Sequence, residues 1–257
     1  MIKVYDDGAS FVEENESFLD LNKYLAIFFY LDAKILNNVD KNNYAIKAED
    51  NDKKILGIRV EPYNLCLYGD FECANLLMNY LKDNNYYTDG ILCPTTIGDK
   101  LIGYDKIIGM DFMEAKEKTM ENSQRVLKAC KNDVDVIFEL SKEFFIECGL
   151  PDVPDKEKIL YDISNFRIIR ENGKIVAMAS YTKDTKKSFR ITHVYTRPEC
   201  RGKGYAKEIV NFIKNEILAI DFIPTLNVDQ KNPISYHIYE SLGFKKIFSQ
   251  GMYRKKD

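Results

Sequence analysis

The sequence predicts an α/β fold of the α+β kind, with interleaved strands and helices and sheets flanked by helices. Three observations carry the prediction. Apolar spacing in residues 133–255 reads as two helices, three strands, then helix, strand, helix and strand. The preceding residues run through a similar series. A glycine-bearing corner, RPECRGKGYAKEIV from Arg197 to Val210, joins a strand-like segment to a helix-like one.

Phe18, Leu21, Leu25, Phe28, Phe29 and Ile35 recur at helical spacing and predict one helix over roughly Glu14 to Leu36. A strand at Tyr44–Ala48, a polar EDNDKK turn and the strand-like runs ILGIRVEP and LCLYG follow. Phe71–Lys82 reads as a helix with Ala74, Leu77 and Leu81 on one side, and GILCP and KIIGMDFMEA read as strands. Between Glu114 and Asp133 the chain turns to Lys, Glu, Asn and Gln. That composition predicts a partly helical connection between an N-terminal domain, residues 1–120, and a C-terminal domain, residues 133–257.

In the second half, Val134–Cys148 carries an apolar stripe of Val134, Ile137, Phe138, Phe144 and Phe145, with Gly149 as a stop. Lys156–Ile163 reads as a short helix. Phe166–Arg170 and Lys174–Tyr181 read as a hairpin about Glu171-Asn172-Gly173, since Asn-Gly favours a tight turn. Phe189–Thr196 is a strand ended by Pro198. A helix from about Gly204 to Leu218 buries Ala206, Ile209, Val210, Ile213 and Ile217, and Lys203, Lys207, Glu208, Lys214 and Glu216 fall mainly on its other side. A strand at Pro224–Val228, a helix at Pro233–Leu242 and a strand at Lys246–Arg254 complete the order. IGYDKIIGMDFMEA echoes LGFKKIFSQGMYRK in position and texture. The halves are therefore either a duplication or two unrelated α/β halves.

Composition excludes several classes. With 37 basic and 40 acidic residues the net charge is −3, which argues against nucleic-acid and membrane-surface partners. No apolar run reaches membrane-spanning length, and MIKVYDDGAS has no signal-peptide character. Six cysteines without a CxxC pair, and two histidines, argue against structural zinc, so no metal is expected. Scattered cysteines and absent signals point to the cytoplasm.

The corner itself points to an anion. A helix N-terminus presents unpaired N–H groups and a positive dipole end. Gly202 and Gly204 let a ligand approach the backbone, and Arg201 and Lys203 add charge. The dinucleotide fingerprint G-x-G-x-x-G fails because Lys207 stands at its third glycine, and the Walker pattern fails for want of GK[ST]. The segment resembles instead R-x-x-G-x-A, the pyrophosphate-binding motif of the GNAT family of N-acetyltransferases, in Arg201, Gly204 and Ala206. A second segment, NPISYHIYESLGF from Asn232 to Phe244, resembles the same family's N-x-x-A/S-x-x-x-Y-x-x-x-G-F helix, with Tyr239 at the tyrosine position. Asn232 is a good helix cap, Pro233 a good first residue and Gly243 a left-handed stop. The resemblance covers about Asp133 to Lys255. The first half shows neither motif: its corner reads LYGDFECANLL, where Asp70 and Glu72 would repel a pyrophosphate. It is either a degenerate copy or a separate α/β half.

The resemblance implies a mixed, splayed sheet, acetyl-CoA as co-substrate and an amine acceptor, either a small molecule or a protein amine. The strand Ile191–Thr196 would part from Pro224–Val228, and Val194, Tyr195 and Thr196 would pair with the pantetheine amides. The pyrophosphate would rest on Arg201, Gly202, Lys203, Gly204, Tyr205 and Ala206, with Asn232 and Ser235 beside the thioester. Tyr239, a phenol with an ordinary pKa of about 10, would protonate the departing thiolate. A backbone N–H such as that of Val194 would hold the oxyanion. His193, Glu143, Asp229 or a water relay are candidates for the base. Glu143, Glu147, Asp152 and Asp155 could draw in a cationic amine. Cys200 flanks the corner, but direct transfer needs no nucleophile there. The alternative is a CoA-binding sensor or interaction module without turnover.

Overall fold

The computed structural model describes residues 1–149 and 154–256. The chain forms two compact units, one of Met1–Phe112 with Asp229–Lys231 and Phe248–Asp257, the other of Met113–Val228 with Asn232–Ile247. Of the sequence-based expectations, Asp152 lies outside the described residues.

The first half supplies β1 (Ile2–Tyr5), α1 (Gly8–Leu19), α2 (Lys23–Ile35), β2 (Tyr44–Asp50), β3 (Lys53–Arg59), β4 (Leu65–Gly69), α3 (Phe71–Asp83), β5 (Gly90–Pro94), α4 (Thr95–Gly98) and β6 (Tyr104–Glu114). The second supplies β7 (Leu127–Lys128), α5 (Val134–Glu147), α6 (Lys156–Tyr161), β8 (Phe166–Glu171), β9 (Lys174–Thr185), β10 (Ser188–Thr196), α7 (Tyr205–Ala219), β11 (Ile223–Asp229), α8 (Pro233–Ser241) and β12 (Lys245–Lys255). The two series match element for element.

In the first unit β1 to β4 pair antiparallel in sequence order. β4 and β5 are parallel over two rungs, Leu65↔Ile91 and Cys66↔Leu92. The C-terminal part of β12 then pairs antiparallel with β5, from Gln250↔Pro94 to Arg254↔Gly90. Ala74, Leu77 and Leu81 of α3 pack on one face with Tyr253, and α1 and α2 cover the other with Phe11, Leu19, Ala26 and Phe29.

The single helix expected over Glu14–Leu36 is two helices. Asp7 caps α1, its Oδ1 accepting from the Ser10 N–H at 2.7 Å. Asn22 breaks the run and caps α2, its Oδ1 accepting from the Leu25 N–H at 3.2 Å. The break resets the helical phase, so Leu21 and Ile35, expected on the buried stripe, are exposed.

In the second unit β8, β9 and β10 form an antiparallel meander whose Asn172-Gly173 turn has φ values of 50° and 78°, as a tight hairpin requires. Ile209, Val210, Ile213 and Ile217 of α7 pack on one face with Leu226, Val228, Tyr239 and Phe244. Val134, Ile137 and Leu140 of α5 pack on the other with Ile159, Ile163 and Ile168. Of the partly helical connection expected between Glu114 and Asp133, the helical part among the described residues is a 3₁₀ turn at Lys131–Asp133. Residues 116–126 run without helix or strand as a strap along α7. The Asn211 and Asn215 amides donate to the Met120 carbonyl at 3.3 and 2.9 Å, and Ser123 donates to Glu208 at 2.6 Å. Asn211 and Asn215 thus take up carbonyls of the strap at Met120 and Glu121 that a helix would otherwise pair.

The first unit's dependence on the end of the chain is testable. Tyr253 is 1% exposed and donates from its hydroxyl to Asp99 at 2.5 Å, and its ring occupies the place of a Cβ on Gly98. Tyr253→Ala should cost about 3–5 kcal/mol in urea unfolding of the first unit, as a large buried truncation does. A change under about 1 kcal/mol would show that the strand is an accessory.

Candidate functional site

The site begins where two parallel strands part. β10 and β11 pair at Ser188↔Ile223, Phe189↔Pro224 and Arg190↔Thr225, and among the described residues the pairing ends there. β10 continues alone against β9 as far as Thr196↔Ala177. The last rung is locked by buried polar groups. The Thr225 hydroxyl lies 3.3 Å from Asp184 Oδ2 and 3.2 Å from the Phe189 carbonyl, and Arg190 pairs with the same Asp184. Thr225 and Asp184 are both buried. Sequence reading missed this lock, because Asp184 sits in KDTKK and reads as a turn residue.

Beyond the fork β10 bulges. Thr192 pairs with Ser180 and Tyr195 with Met178, so His193 and Val194 together face Ala179. The extra residue bends the strand, and His193 takes a φ of 52°. Its ring is enclosed by Phe144, Phe145 and Phe166, with centroids 5.5, 5.8 and 5.7 Å away, and Nδ1 lies 3.1 Å from the Ser180 hydroxyl. Burial, and next the charge of Lys158, lower its pKa to about 4. It is a neutral packing group and a poor proton acceptor. Glu143, another candidate base, accepts from the Tyr195 hydroxyl at 2.9 Å. Burial and then that carboxylate push the Tyr195 phenol up to about 12. Asp229, the third, turns back to accept from the Lys231 N–H at 2.8 Å and belongs to the first unit.

After Thr196 a 3₁₀ turn at Pro198–Cys200 leads into the corner. Gly202 and Gly204 have φ of 79° and 83°, a region in which side chains are strained. Among the described residues no atom lies within 4 Å of a Cβ built on either, so open space stands above both. Gly204 is the N-cap of α7 and offers no capping side chain, which leaves the first-turn N–H groups to a ligand or solvent. The Thr196 hydroxyl, at the end of the parted strand, is buried and finds no hydrogen-bond partner among the described residues. Arg201 and Lys203 are not bare charges. Arg201 reaches the Thr196 carbonyl at 3.0 Å and Glu147 at 2.5 Å, and Lys203 reaches Glu171 at 3.0 Å. Tyr205, which is buried, donates its hydroxyl to Glu171 as well. The two ion pairs are exposed and therefore weak, so an incoming anion can displace the carboxylates. Cys200 is buried, and Ala206 follows Tyr205 in the first turn of α7.

The third part is α8. Asn232 Oδ1 accepts from the Ser235 N–H at 3.0 Å, Pro233 opens the helix and Gly243 follows it with φ 83°. The Asn232 amide oxygen is thus occupied by its cap. Tyr239 is 6% exposed, in edge contact with Phe244, and belongs to the apolar cluster against which Val194 packs. Burial pushes its phenol up to about 12, opposed by a hydrogen bond with Ser235. It is protonated across the physiological range. His237 is exposed.

The structure thus places Val194–Thr196 on the parted strand, Arg201–Ala206 at its end and Asn232, Ser235 and Tyr239 on one short helix. Among the described residues no cluster of His, Cys, Asp and Glu fits a metal ion, and no helix is long and apolar enough to cross a membrane.

Residues 134–244 match the model of the acetyltransferase (GNAT) family. The full length of the chain aligns with the full length of an acetyltransferase from the GNAT family of Colwellia psychrerythraea, at TM-score 0.66 and 12% identity. A GCN5-related N-acetyltransferase from Sphaerobacter thermophilus aligns at TM-score 0.61 and 15% identity, over 88% of this chain and 85% of that one. One from Kribbella flavida aligns at 0.52 and 11%, over 79% and 87%. No curated protein matches the sequence. The C-terminal half therefore carries a GNAT acetyltransferase domain, and the fold is that of GNAT acetyltransferases. That family and fold imply acyl transfer from an acyl-CoA.

His193 gives a pH signature. Its folded pKa of about 4 lies below the ordinary 6.5, so between those values the unfolded chain binds a proton that the folded chain does not. Stability should fall as pH drops from 6.5 towards 4. In His193→Asn, chosen because Asn tolerates a positive φ, that slope should flatten in urea titrations. An unchanged slope would show that the ring is solvated.

Proposed function

We propose that the chain transfers an acetyl group from acetyl-CoA directly to an amine acceptor, a small molecule or a protein amine. The observation that carries the reading is the parted strand ending at an uncapped helix with two left-handed glycines. The pantetheine arm has two amides, and β10 beyond Arg190 has a free edge on which they can pair as an added strand. The orphaned Thr196 hydroxyl gains a partner in the same place. Open space stands above Gly202 and Gly204 where a pyrophosphate could meet the N–H groups of Gly202 to Ala206, and Arg201 and Lys203 can exchange Glu147 and Glu171 for it. Bound acetyl-CoA supplies the activated acyl group, and the protein's residues orient it and manage the proton.

Tyr239 is the proposed proton donor to the departing thiolate. With its phenol pushed up to about 12 it holds its proton, so no alkaline loss of rate should arise from it through about pH 10. With His193 unsuited to the task, the rise of kcat/KM with pH should follow the acceptor amine's own ionisation. The matching turn of the first unit, at Gly69 and Asp70, is closed. A Cβ on Gly69 would meet the Lys54 carbonyl oxygen at 2.2 Å, and Asp70 Oδ2 accepts from the Lys54 N–H at 3.0 Å. We assign acyl-CoA to the second half alone and read the first half as a degenerate copy.

The test is thiol release from acetyl-CoA across a panel of amines, for the native chain and Tyr239→Phe. The variant keeps the ring and loses the proton. Turnover should fall by about 10²–10⁴-fold with the KM for acetyl-CoA little changed. Stability should move by about 1 kcal/mol or less. Phe at the native rate, where chemistry limits turnover, would remove Tyr239 from the mechanism. Tight binding without thiol release for any amine would favour the non-catalytic CoA-binding module.

A further inference from the structure

Lys214 was expected on the solvent side of α7 and is fully buried, at 0% exposure. Among the described residues its hydrogen-bond partners are two neutral oxygens, Thr119 Oγ1 on the strap at 2.7 Å and the Leu242 carbonyl at 2.9 Å. Burial lowers its pKa to about 8. A buried ammonium without a carboxylate is costly, so its place calls for a reason.

The reason lies in what Leu242 does. It is the C-cap of α8, and its N–H donates to the Tyr239 carbonyl at 3.0 Å, as the Phe244 N–H does at 3.1 Å. Tyr239 and Leu242 therefore share one turn. α8 has nine residues, fewer than the roughly 12–15 at which an isolated helix becomes even marginally stable. Packing of Tyr236, Ile238 and Tyr239 on the apolar cluster holds its face, and polar contacts hold its two ends. Asn232 holds the first end, and the Lys214 ammonium sits on the carbonyl of the second, where the helix dipole is negative. The same ammonium is tied through Thr119 to a strap that Asn211 and Asn215 hold against α7.

We propose that Lys214 is a positioning residue for Tyr239: it fastens the last turn of α8 to α7 and the strap, and so holds the phenol where the thiolate departs. The inference rests on the acyl-transfer reading above.

Lys214→Met keeps the length of the side chain and removes the ammonium. The Leu242 carbonyl keeps the Thr119 hydroxyl as a donor at 3.2 Å, so the variant should fold. Two measurements follow. Amide hydrogen exchange at Leu242, Gly243 and Phe244 should quicken at least about tenfold, with Ile209–Ile213 within about twofold of native. The kcat for thiol release should fall about tenfold with KM for acetyl-CoA unchanged, and by less than about twofold when Lys214→Met is added to Tyr239→Phe. Equal losses in the two backgrounds would make Lys214 a structural brace, and unchanged exchange at Leu242–Phe244 would show that it does not fix the turn; either result overturns the proposal. A native chain that binds acetyl-CoA without releasing thiol would overturn the acyl-transfer reading instead, and the exchange arm would still decide whether Lys214 holds the turn.

Discussion

Two parallel strands that have begun to pair gain a hydrogen bond with each further rung, so something must stop them. In the second half the last rung is fixed by a buried polar cluster, and beyond it β10 bulges. Thr225 and Arg190 both turn to Asp184 at the last rung, and one residue later β10 starts towards its bulge at His193 and Val194. Everything assigned to the site depends on that fork. It frees the edge of Val194–Thr196, it delivers the chain to the glycine corner, and it leaves Tyr239 on a short helix beside the same apolar cluster. A buried carboxylate shared between a guanidinium and a hydroxyl is costly to desolvate, and fully partnered it is directional in a way that apolar packing is not.

The first half repeats the series of elements and a short parallel contact, here two rungs between β4 and β5. It does not repeat the corner. Gly69 has a φ of 140° but is backed by the Lys54 backbone, Asp70 is held by the Lys54 N–H, and Glu72 pairs with Lys53 at 2.7 Å. What is open space above Gly204 is filled by protein above Gly69. One backbone plan thus accommodates a ligand cradle or a closed turn, and the choice is made by a few residues at the strand-to-helix junction. This supports reading the first half as a copy that lost its ligand.

The corner and the tyrosine helix were legible because they use local rules. Gly202 and Gly204 need a left-handed backbone, Asn232 and Pro233 start a helix and Gly243 ends it, and each signal lies within a few residues of its effect. The fold class was legible for the same reason, through apolar spacing. What escaped depends on distant partners. The helix break at Asp20–Asn22 was hidden because the apolar residues on its two sides happen to keep helical spacing. The strap read as a linker because its composition is polar, and the side chains that order it, Glu208, Asn211 and Asn215, lie about 90 residues further on. Lys214 read as a solvated charge because lysine usually is one. Asp184, the lock of the fork, had no local signal beyond its place in a turn.

The central claim is that one corner of the chain, and not its counterpart, receives the acyl-CoA. The most direct test is a titration of the isotope-labelled full-length protein with acetyl-CoA, followed by amide NMR. The account predicts that the amides of Gly202, Lys203, Gly204, Tyr205 and Ala206 move most, those of Val194–Thr196 move with them, and those of Gly69–Ala74 stay still. Shifts at Gly69–Ala74, or a saturated complex whose Gly202–Ala206 amides do not move, would contradict it.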